Sequence, residues 1–358
     1  MLGFSLSKRA WLRVLGLLVA AAAYLLQAHR SLSSRAVSYV KPGHWAVVLG
    51  GSEGLGEAWA YQLGHLDMNL IVVARREKPL EDVRKTIHEK KPDLKVELYK
   101  RDLARLNESS FSEMLEGRDV RVMIYNAAYA GTAGRFLEAD AGDFLSSIDV
   151  NVKGVAAATH AFGKQLKARG VPGGVVLMSS MVGEIGSAFV ANYAATKAYI
   201  TTLAEGLYDE WWSQGLDALA CVAGATITPT YLSSFSVPWR RVAALPRPTA
   251  GAGGGAQRAP AAEVKMDVDK KLRTWLLASL RMEQGLRTGL LDTGARVSWI
   301  EQEPFEVVSE CLANLGRTSA VATGALNKVI LLIFTRLLPR TVATQIFGHQ
   351  TSKMLGIA

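Results

Sequence analysis

Residues 45–56 read Trp45-Ala46-Val47-Val48-Leu49-Gly50-Gly51-Ser52-Glu53-Gly54-Leu55-Gly56. The first five are apolar without alternation, the pattern of a short strand buried on both faces of a sheet. Glycines follow, and a helical pattern then runs to about Gly64. A strand, a Gly-rich turn and a helix in that order make a cradle for phosphate. Without Cβ atoms the backbone can turn sharply and approach a pyrophosphate, while the helix start offers free N–H groups and a positive dipole end.

Working outward from this stretch, Asn69–Ala74 carries Leu70, Ile71, Val72 and Val73 and predicts a second buried strand. A charged helix is expected over about Pro79–Lys90, a third strand over Lys95–Tyr99 and a fourth over Val120–Ile124. Phe136–Gly163 reads as helix with one break near Gly142. Gly174–Met178 reads as a fifth strand, Tyr193–Gln214 as a long helix and Asp217–Val222 as a sixth strand. Alternating strands and helices imply an α/β fold, a doubly wound parallel sheet with helices on both faces.

The second strand ends Ala74-Arg75-Arg76. A carboxylate there would accept hydrogen bonds from the adenosine ribose hydroxyls of NAD. Ala74 offers none, whereas Arg75 can pair with a 2′-phosphate, which favours NADP(H). The plain alternative is two surface arginines on a loop. Further on, Ser180 precedes Tyr193 by thirteen residues and Lys197 follows Tyr193 by four. Positions i and i+4 share a helix face, so the Lys197 ammonium is expected near the Tyr193 phenol. A cation there favours phenolate and lowers the tyrosine pKa from about 10. Tyr193 can then give a proton to a carbonyl oxygen or take one from an alcohol. Ser180, at the end of strand five, can hydrogen-bond the same oxygen.

Together these residues resemble the short-chain dehydrogenase/reductase superfamily in its NADP-preferring form, over about residues 44–235 and more weakly over 301–358. The family's TGxxxGxG turn corresponds to Leu49-Gly50 through Gly54-Leu55-Gly56, with Leu49 where threonine is usual. Its adenine-contacting aspartate matches Asp102, followed by Leu103. Its NNAG motif matches Tyr125-Asn126-Ala127-Ala128, and its helix asparagine matches Asn151. The YxxxK pair is Tyr193 and Lys197. The PG motif after strand six is Ala223-Gly224, followed by Thr226 and Thr228-Pro229.

The resemblance implies a Rossmann-type fold and hydride transfer between NADP(H) and a ketone or secondary alcohol. Tyr193 would be the general acid/base, and Ser180 would orient and polarise the carbonyl. Lys197 would hold the nicotinamide ribose and lower the Tyr193 pKa, and Asn151 would support a water in the proton relay. Cofactor contacts are implied for Gly50, Ser52, Glu53, Gly54, Leu55, Gly56, Arg75, Asp102, Leu103, Asn126, Ala127, Tyr193, Lys197, Gly224, Thr226 and Thr228. Leu49, Tyr125, Ala128 and Ala223 depart from the family's loop pattern without removing any of the four catalytic groups. A homodimer or homotetramer is expected, since many family members form them. A non-catalytic NADP-binding regulator or membrane scaffold of the same fold is the alternative.

The flanks carry the charge. Of 358 residues, 41 are Lys or Arg and 32 are Asp or Glu, a formal net charge of +9. Residues 1–52 hold six basic residues and no acid; residues 236–300 hold eleven basic and five acidic. The remainder is slightly acidic, so the basic balance gives no support to nucleic-acid binding. Trp11–Ala28 is an apolar run broken by Arg13 and Gln27, with positive residues on both sides. It predicts an N-terminal hydrophobic helix within a segment 1–40. This reads as an uncleaved membrane anchor, most simply in the endoplasmic reticulum, with a cleaved secretory signal or an organelle transit peptide as alternatives.

The core is expected over 41–235. Residues 236–300 form an inserted region: a Gly/Pro-rich linker at 242–262, then an amphipathic helix over Val264–Leu290 that either caps the substrate pocket, touches a membrane or decorates the fold. Residues 301–358 are expected to complete the core, with helix from Glu303 to Gly316 and an apolar tail at Leu326–Leu338 that either docks on the core or lies on a membrane surface. An anchored reductase with such a lid suits an apolar, lipid-like substrate. Two cysteines make no disulfide framework, and Cys221 reads as strand core. The six histidines show no metal-ligand spacing.

Overall fold

A computed structural model of the chain describes residues 34–228 and 302–354. The expectations for the apolar N-terminal segment up to residue 33, for Pro229 and for the insertion and its linker lie outside these residues. Among the described residues no helix is long and apolar enough to cross a membrane.

The strands are β1 (Trp45–Leu49), β2 (Asn69–Ala74), β3 (Val96–Lys100), β4 (Val120–Tyr125), β5 (Gly173–Ser180), β6 (Leu216–Ala223) and β7 (Ala320–Ala322). They form one sheet in the order β3-β2-β1-β4-β5-β6-β7, with every neighbouring pair parallel. β7 was not expected; three residues between short turns carry too little pattern to read. The helices are α1 (Ser34–Tyr39), α2 (Gly54–His65), α3 (Glu77–Lys90), α4 (Glu108–Leu115), α5 (Ala141–Ile148), α6 (Val155–Arg169), α7 (Met181–Ile185), α8 (Ala191–Trp212), α9 (Pro304–Asn314), α10 (Ala325–Leu332) and α11 (Arg340–Met354). The expected break near Gly142 falls at Ala139–Asp140, where the Asp140 carboxylate caps α5 by accepting from the Gly142 N–H.

Side chains alternate across the central strand. Ala46 and Val48 join one core with Trp59 and Leu63 of α2, Leu80 and Val83 of α3, and Val307 and Val308 of α9. Val47 and Leu49 join the other with Phe111 of α4, Phe162 of α6 and Ile200 and Trp211 of α8. Both faces are therefore dry, as a parallel sheet requires.

Two features position the site. First, strand order reverses between β1 and β4, so their following turns diverge and open a crevice at the carboxyl ends of the strands. Leu49 lies opposite Tyr125, and Ser180 lies opposite Ala223. Second, α1 is fixed at the other end of the sheet. The Tyr39 hydroxyl donates to Asp217 Oδ2 at 2.8 Å, and Arg35 Nε lies 3.0 Å from Asp217 Oδ1. Asp217 is the second residue of β6 and fully buried. Burial raises its pKa, opposed by hydrogen bonding from Tyr39 and by Arg35.

The cysteines correct the sequence reading. Cys221 is buried in β6 as expected, but it is disulfide-bonded to Cys311 of α9, 90 residues away. The insertion separates the two in sequence, and only the packing of α9 against β6 brings them together.

Candidate active site

The turn after β1 is shaped by steric necessity. Gly50 has φ +85°, and a Cβ on it would stand 2.6 Å from the Ala127 nitrogen. A Cβ on Gly56 would stand 1.9 Å from the Gly50 carbonyl oxygen. The Asn126 amide donates to that same carbonyl at 2.9 Å, and the N–H groups of Asn126 and Ala127 both donate to Leu49 O. Gly50, Asn126 and Ala127 are thus one unit, built across the β1–β4 crevice. α2 starts here with no side-chain cap, and Ser52, Gly54 and Leu55 lie in the turn and first residues. Glu53 turns outward, where Arg76 donates to it at 2.5 Å. The glycine cradle and the uncapped helix start fit a dinucleotide pyrophosphate.

Arg75 is exposed just beyond β2, while its neighbour Arg76 is engaged by Glu53. Asp102 accepts the Ala104 N–H at 3.1 Å and so fixes a short helical turn that buries Leu103. Gly224 follows β6, and the Asn327 amide would stand 2.2 Å from a Cβ there. Thr226 is buried and bridges to Gln302. Thr228 is half-buried at the edge of the described residues. All these groups sit at the carboxyl ends of the strands.

Ser180 ends β5, and Tyr193 and Lys197 lie one turn apart on α8. The Ser180 hydroxyl stands near enough to the Tyr193 phenol to draw its pKa downward. Lys197 is buried; its Nζ donates to Met178 O at 2.7 Å and lies 5.5 Å from the centre of the Tyr193 ring. The expected depression of the phenol is not what the structure gives. Burial pushes Tyr193 up to about 12, with the Ser180 hydrogen bond pulling the other way. Burial also draws Lys197 down to about 7. Desolvation outweighs the cation because the lysine is desolvated too and turns one of its N–H donors to Met178 O. Tyr193 is half-buried, and its elevated pKa comes from the dense protein around the ring.

Asn151 lies in a π-helical turn, Asp149–Gly154, between α5 and α6. It is fully buried. Its Oδ1 accepts the Tyr129 N–H at 2.8 Å; its Nδ2 donates to Tyr129 O at 2.9 Å and to Thr196 Oγ1 at 3.0 Å. The side chain therefore clasps the loop after β4 to α8, and its two N–H groups are used by protein. Tyr125, a departure from the family pattern, donates from its hydroxyl to Val150 O at 2.7 Å. It braces the same π turn.

Sequence reasoning missed a buried chain behind the site. Ser179 Oγ donates to Lys197 O at 2.9 Å and lies 2.8 Å from Thr201 Oγ1, which donates to Glu184 Oε1 at 2.7 Å. Burial raises the Glu184 pKa, with the Thr201 hydrogen bond and Arg340 acting against it and Glu205 with it. No local pattern announces this chain, because its members meet only when α8 packs on β5.

Residues 44–236 match the short chain dehydrogenase family. The chain belongs to that family, oxidoreductases that act on hydroxyl and keto groups with NAD or NADP. It is 31% identical over 209 residues to a 7beta-hydroxysteroid dehydrogenase of Clostridium sardiniense, a match covering 58% of this chain and 79% of that protein. It is 28% identical over 183 residues to a very-long-chain 3-oxoacyl-CoA reductase of Pyricularia oryzae, covering 50% of this chain and 55% of the reductase. The match thus spans about half the length of the fungal protein. A solved structure from work on 7beta-hydroxysteroid dehydrogenase stereoselectivity superposes with a TM-score of 0.65 at 22% identity, covering 87% of this chain and 99% of that chain. That likeness bears on the fold.

Proposed function

We propose that the chain is an NADPH-dependent ketoreductase, able to run in reverse as an alcohol dehydrogenase, with Ser180, Tyr193, Lys197 and Asn151 as its reacting and supporting groups. One observation carries this reading: Ser180 ends β5, and Tyr193 and the buried Lys197 stand one turn apart on α8, which packs against that strand. The cofactor, when bound, supplies the hydride. The chain's own part is to hold the carbonyl oxygen between the Ser180 and Tyr193 hydroxyls and to release the phenolic proton to it. A phenol held near 12 is in the acid form at neutral pH, which suits reduction. Lys197 offers donors to a ribose, and Asn151 keeps the loop after β4 in register with α8.

The exposed Arg75 supports NADP over NAD, since a guanidinium at the end of β2 can take a 2′-phosphate. The named relatives act on a steroid and a long-chain acyl thioester, which supports a lipid-like ketone as the substrate. The Cys221–Cys311 disulfide and the apolar leader support an oxidising compartment reached by membrane insertion, the endoplasmic reticulum first among them.

The test is a titration of the full chain with NADPH and NADH by fluorescence, then NADPH oxidation against a panel of lipid and small ketones. Tyr193→Phe should lose turnover while still binding NADPH. Arg75→Glu should lose NADPH affinity and leave NADH affinity nearly unchanged. If a folded chain binds neither nucleotide, the proposal fails.

A further inference from the structure

α10 and the π-helical turn that continues it, Ile333–Leu337, present an apolar stripe to the outside. Val329, Leu332 and Leu337 are 45%, 57% and 69% exposed. Ala325, Val329, Leu332 and Arg336 recur at steps of three and four, so they run along one side of the helix. A surface helix ordinarily places charged and polar residues there. The inward side is already in use, with Asn327 buried and Ile330 and Leu331 packed on the core. The charge is also one-sided. Residues 320–358 contain Lys328, Arg336, Arg340 and Lys353 and no Asp or Glu; Lys328 is paired with Glu310 of α9 at 2.5 Å, so the outward charge is carried by the arginines. Arg336 and Arg340 are exposed beside Leu337.

The location ties this stripe to the candidate site. Thr344 of α11 donates to Ile185 O in α7, the helix that follows Ser180, and the hydroxyls of Thr351 and Ser187 lie 2.7 Å apart. Across the 186–190 loop, the Gly134 N–H donates to Phe189 O at 2.8 Å. That segment leads into Phe136 and Leu137, which are 55% and 95% exposed. Exposed apolar groups therefore flank both sides of the loop that joins the Ser180 helix to the Tyr193 helix.

We propose that this rim docks on an anionic lipid bilayer surface. Leu332, Leu337 and Leu137 would enter the headgroup boundary, and Arg336 and Arg340 would meet lipid phosphates. A second copy of the same stripe fits less well, because a two-fold contact would set these arginines against one another. The rim lies at the end of the sheet opposite α1. The inference concerns a surface and stands without the reductase reading.

The test reads position rather than bulk binding. Leu332→Cys and Leu337→Cys, each in the full chain, are labelled with a polarity-sensitive thiol dye; the native cysteines are paired and buried. Glu89→Cys, exposed on α3, serves as the reference position. On vesicles of phosphatidylcholine with phosphatidylserine, both rim labels should shift to the blue and brighten about threefold, and the reference should not. Adding Arg336→Glu to the Leu332→Cys chain should weaken the response about fivefold. No shift at either rim position overturns the proposal. So does an equal shift at Glu89→Cys, which would assign binding to the leader. A shift without vesicles that grows with protein concentration also overturns it, in favour of a second copy. None of these outcomes touches the turnover test of Tyr193.

Discussion

Replacing Lys197 with methionine should make the protein more stable at neutral pH while abolishing its activity. The lysine is buried, and burial lowers its pKa from 10.5 to about 7. At about 1.4 kcal/mol per pH unit, that gap costs the folded state on the order of 4 kcal/mol at pH 7. Methionine fills a similar volume without the charge. The hydrogen bond to Met178 O is lost, at about 1 to 2 kcal/mol, so Lys197→Met should be more stable by about 2 kcal/mol. The sign with pH follows from proton counts. Between pH 7 and 10.5 the unfolded chain still holds the lysine proton and the folded chain has released it, so the parent gains stability as pH rises. The advantage of Lys197→Met should therefore shrink above pH 7, vanish near pH 9 and turn into a deficit by about pH 10, where only the lost hydrogen bond remains. Urea unfolding followed by tryptophan fluorescence at pH 7, 8 and 9 measures it, with equal m-values as the check on two-state behaviour. A variant less stable than the parent at pH 7, or an advantage independent of pH, would refute the account of a buried, costly ammonium.

Three further outcomes are expected. Gly56→Ala should weaken nucleotide binding more than tenfold in a fluorescence titration, because its Cβ would stand 1.9 Å from Gly50 O and push the turn open. Thr201→Val and Glu184→Ala should lower kcat several-fold with little change in KM, since they release the Ser179–Lys197 clasp rather than a substrate contact. Glu184→Gln, which keeps the acceptor for Thr201, should restore most of the rate, and a Gln variant as slow as the Ala variant would count against a positioning role. Removing the disulfide by Cys311→Ala frees a loop of 90 residues; chain entropy puts the cost at about 4 kcal/mol. Thermal unfolding should report it, and mass spectrometry after alkylation without reductant should find no free thiol in the parent.

The fold was legible where pattern is local. β1, β2 and the helices either side of them follow from unbroken apolar runs and glycine punctuation, and the parallel sheet follows from their alternation. β7 was not, because its three residues are held by pairing with β6 rather than by their own pattern. The disulfide was not, because the insertion hides the proximity of α9 and β6. The site divides in the same way. Ser180, Tyr193 and Lys197 were legible from spacing, since helix geometry alone puts i and i+4 together. Their electrostatics were not. Spacing predicts a cation that lowers the phenol; burial, which spacing cannot report, raises the phenol and draws the lysine down to about 7 instead. Likewise Ser179, Thr201 and Glu184 are ordinary residues in sequence and become a chain only through packing.

That reversal has a direct spectroscopic test. A charged ammonium lowers a neighbouring phenol only if it stays charged and faces the hydroxyl. Here Lys197 does neither fully: its pKa has fallen to about 7, and its Nζ donates to Met178 O. In the nucleotide-free chain, then, Tyr193 should remain a neutral phenol through the whole neutral range. Phenolate absorbance in the parent minus Tyr193→Phe difference should stay absent below pH 10 and emerge only towards 12. A midpoint below about 9 in the free chain would mean that the lysine keeps its charge against burial, contrary to the desolvation argument. It would also undercut the Lys197→Met prediction, because a lysine that stays charged at no cost has nothing to gain from replacement. The two measurements therefore check one physical claim from its two sides, the acid and the base of the same buried pair.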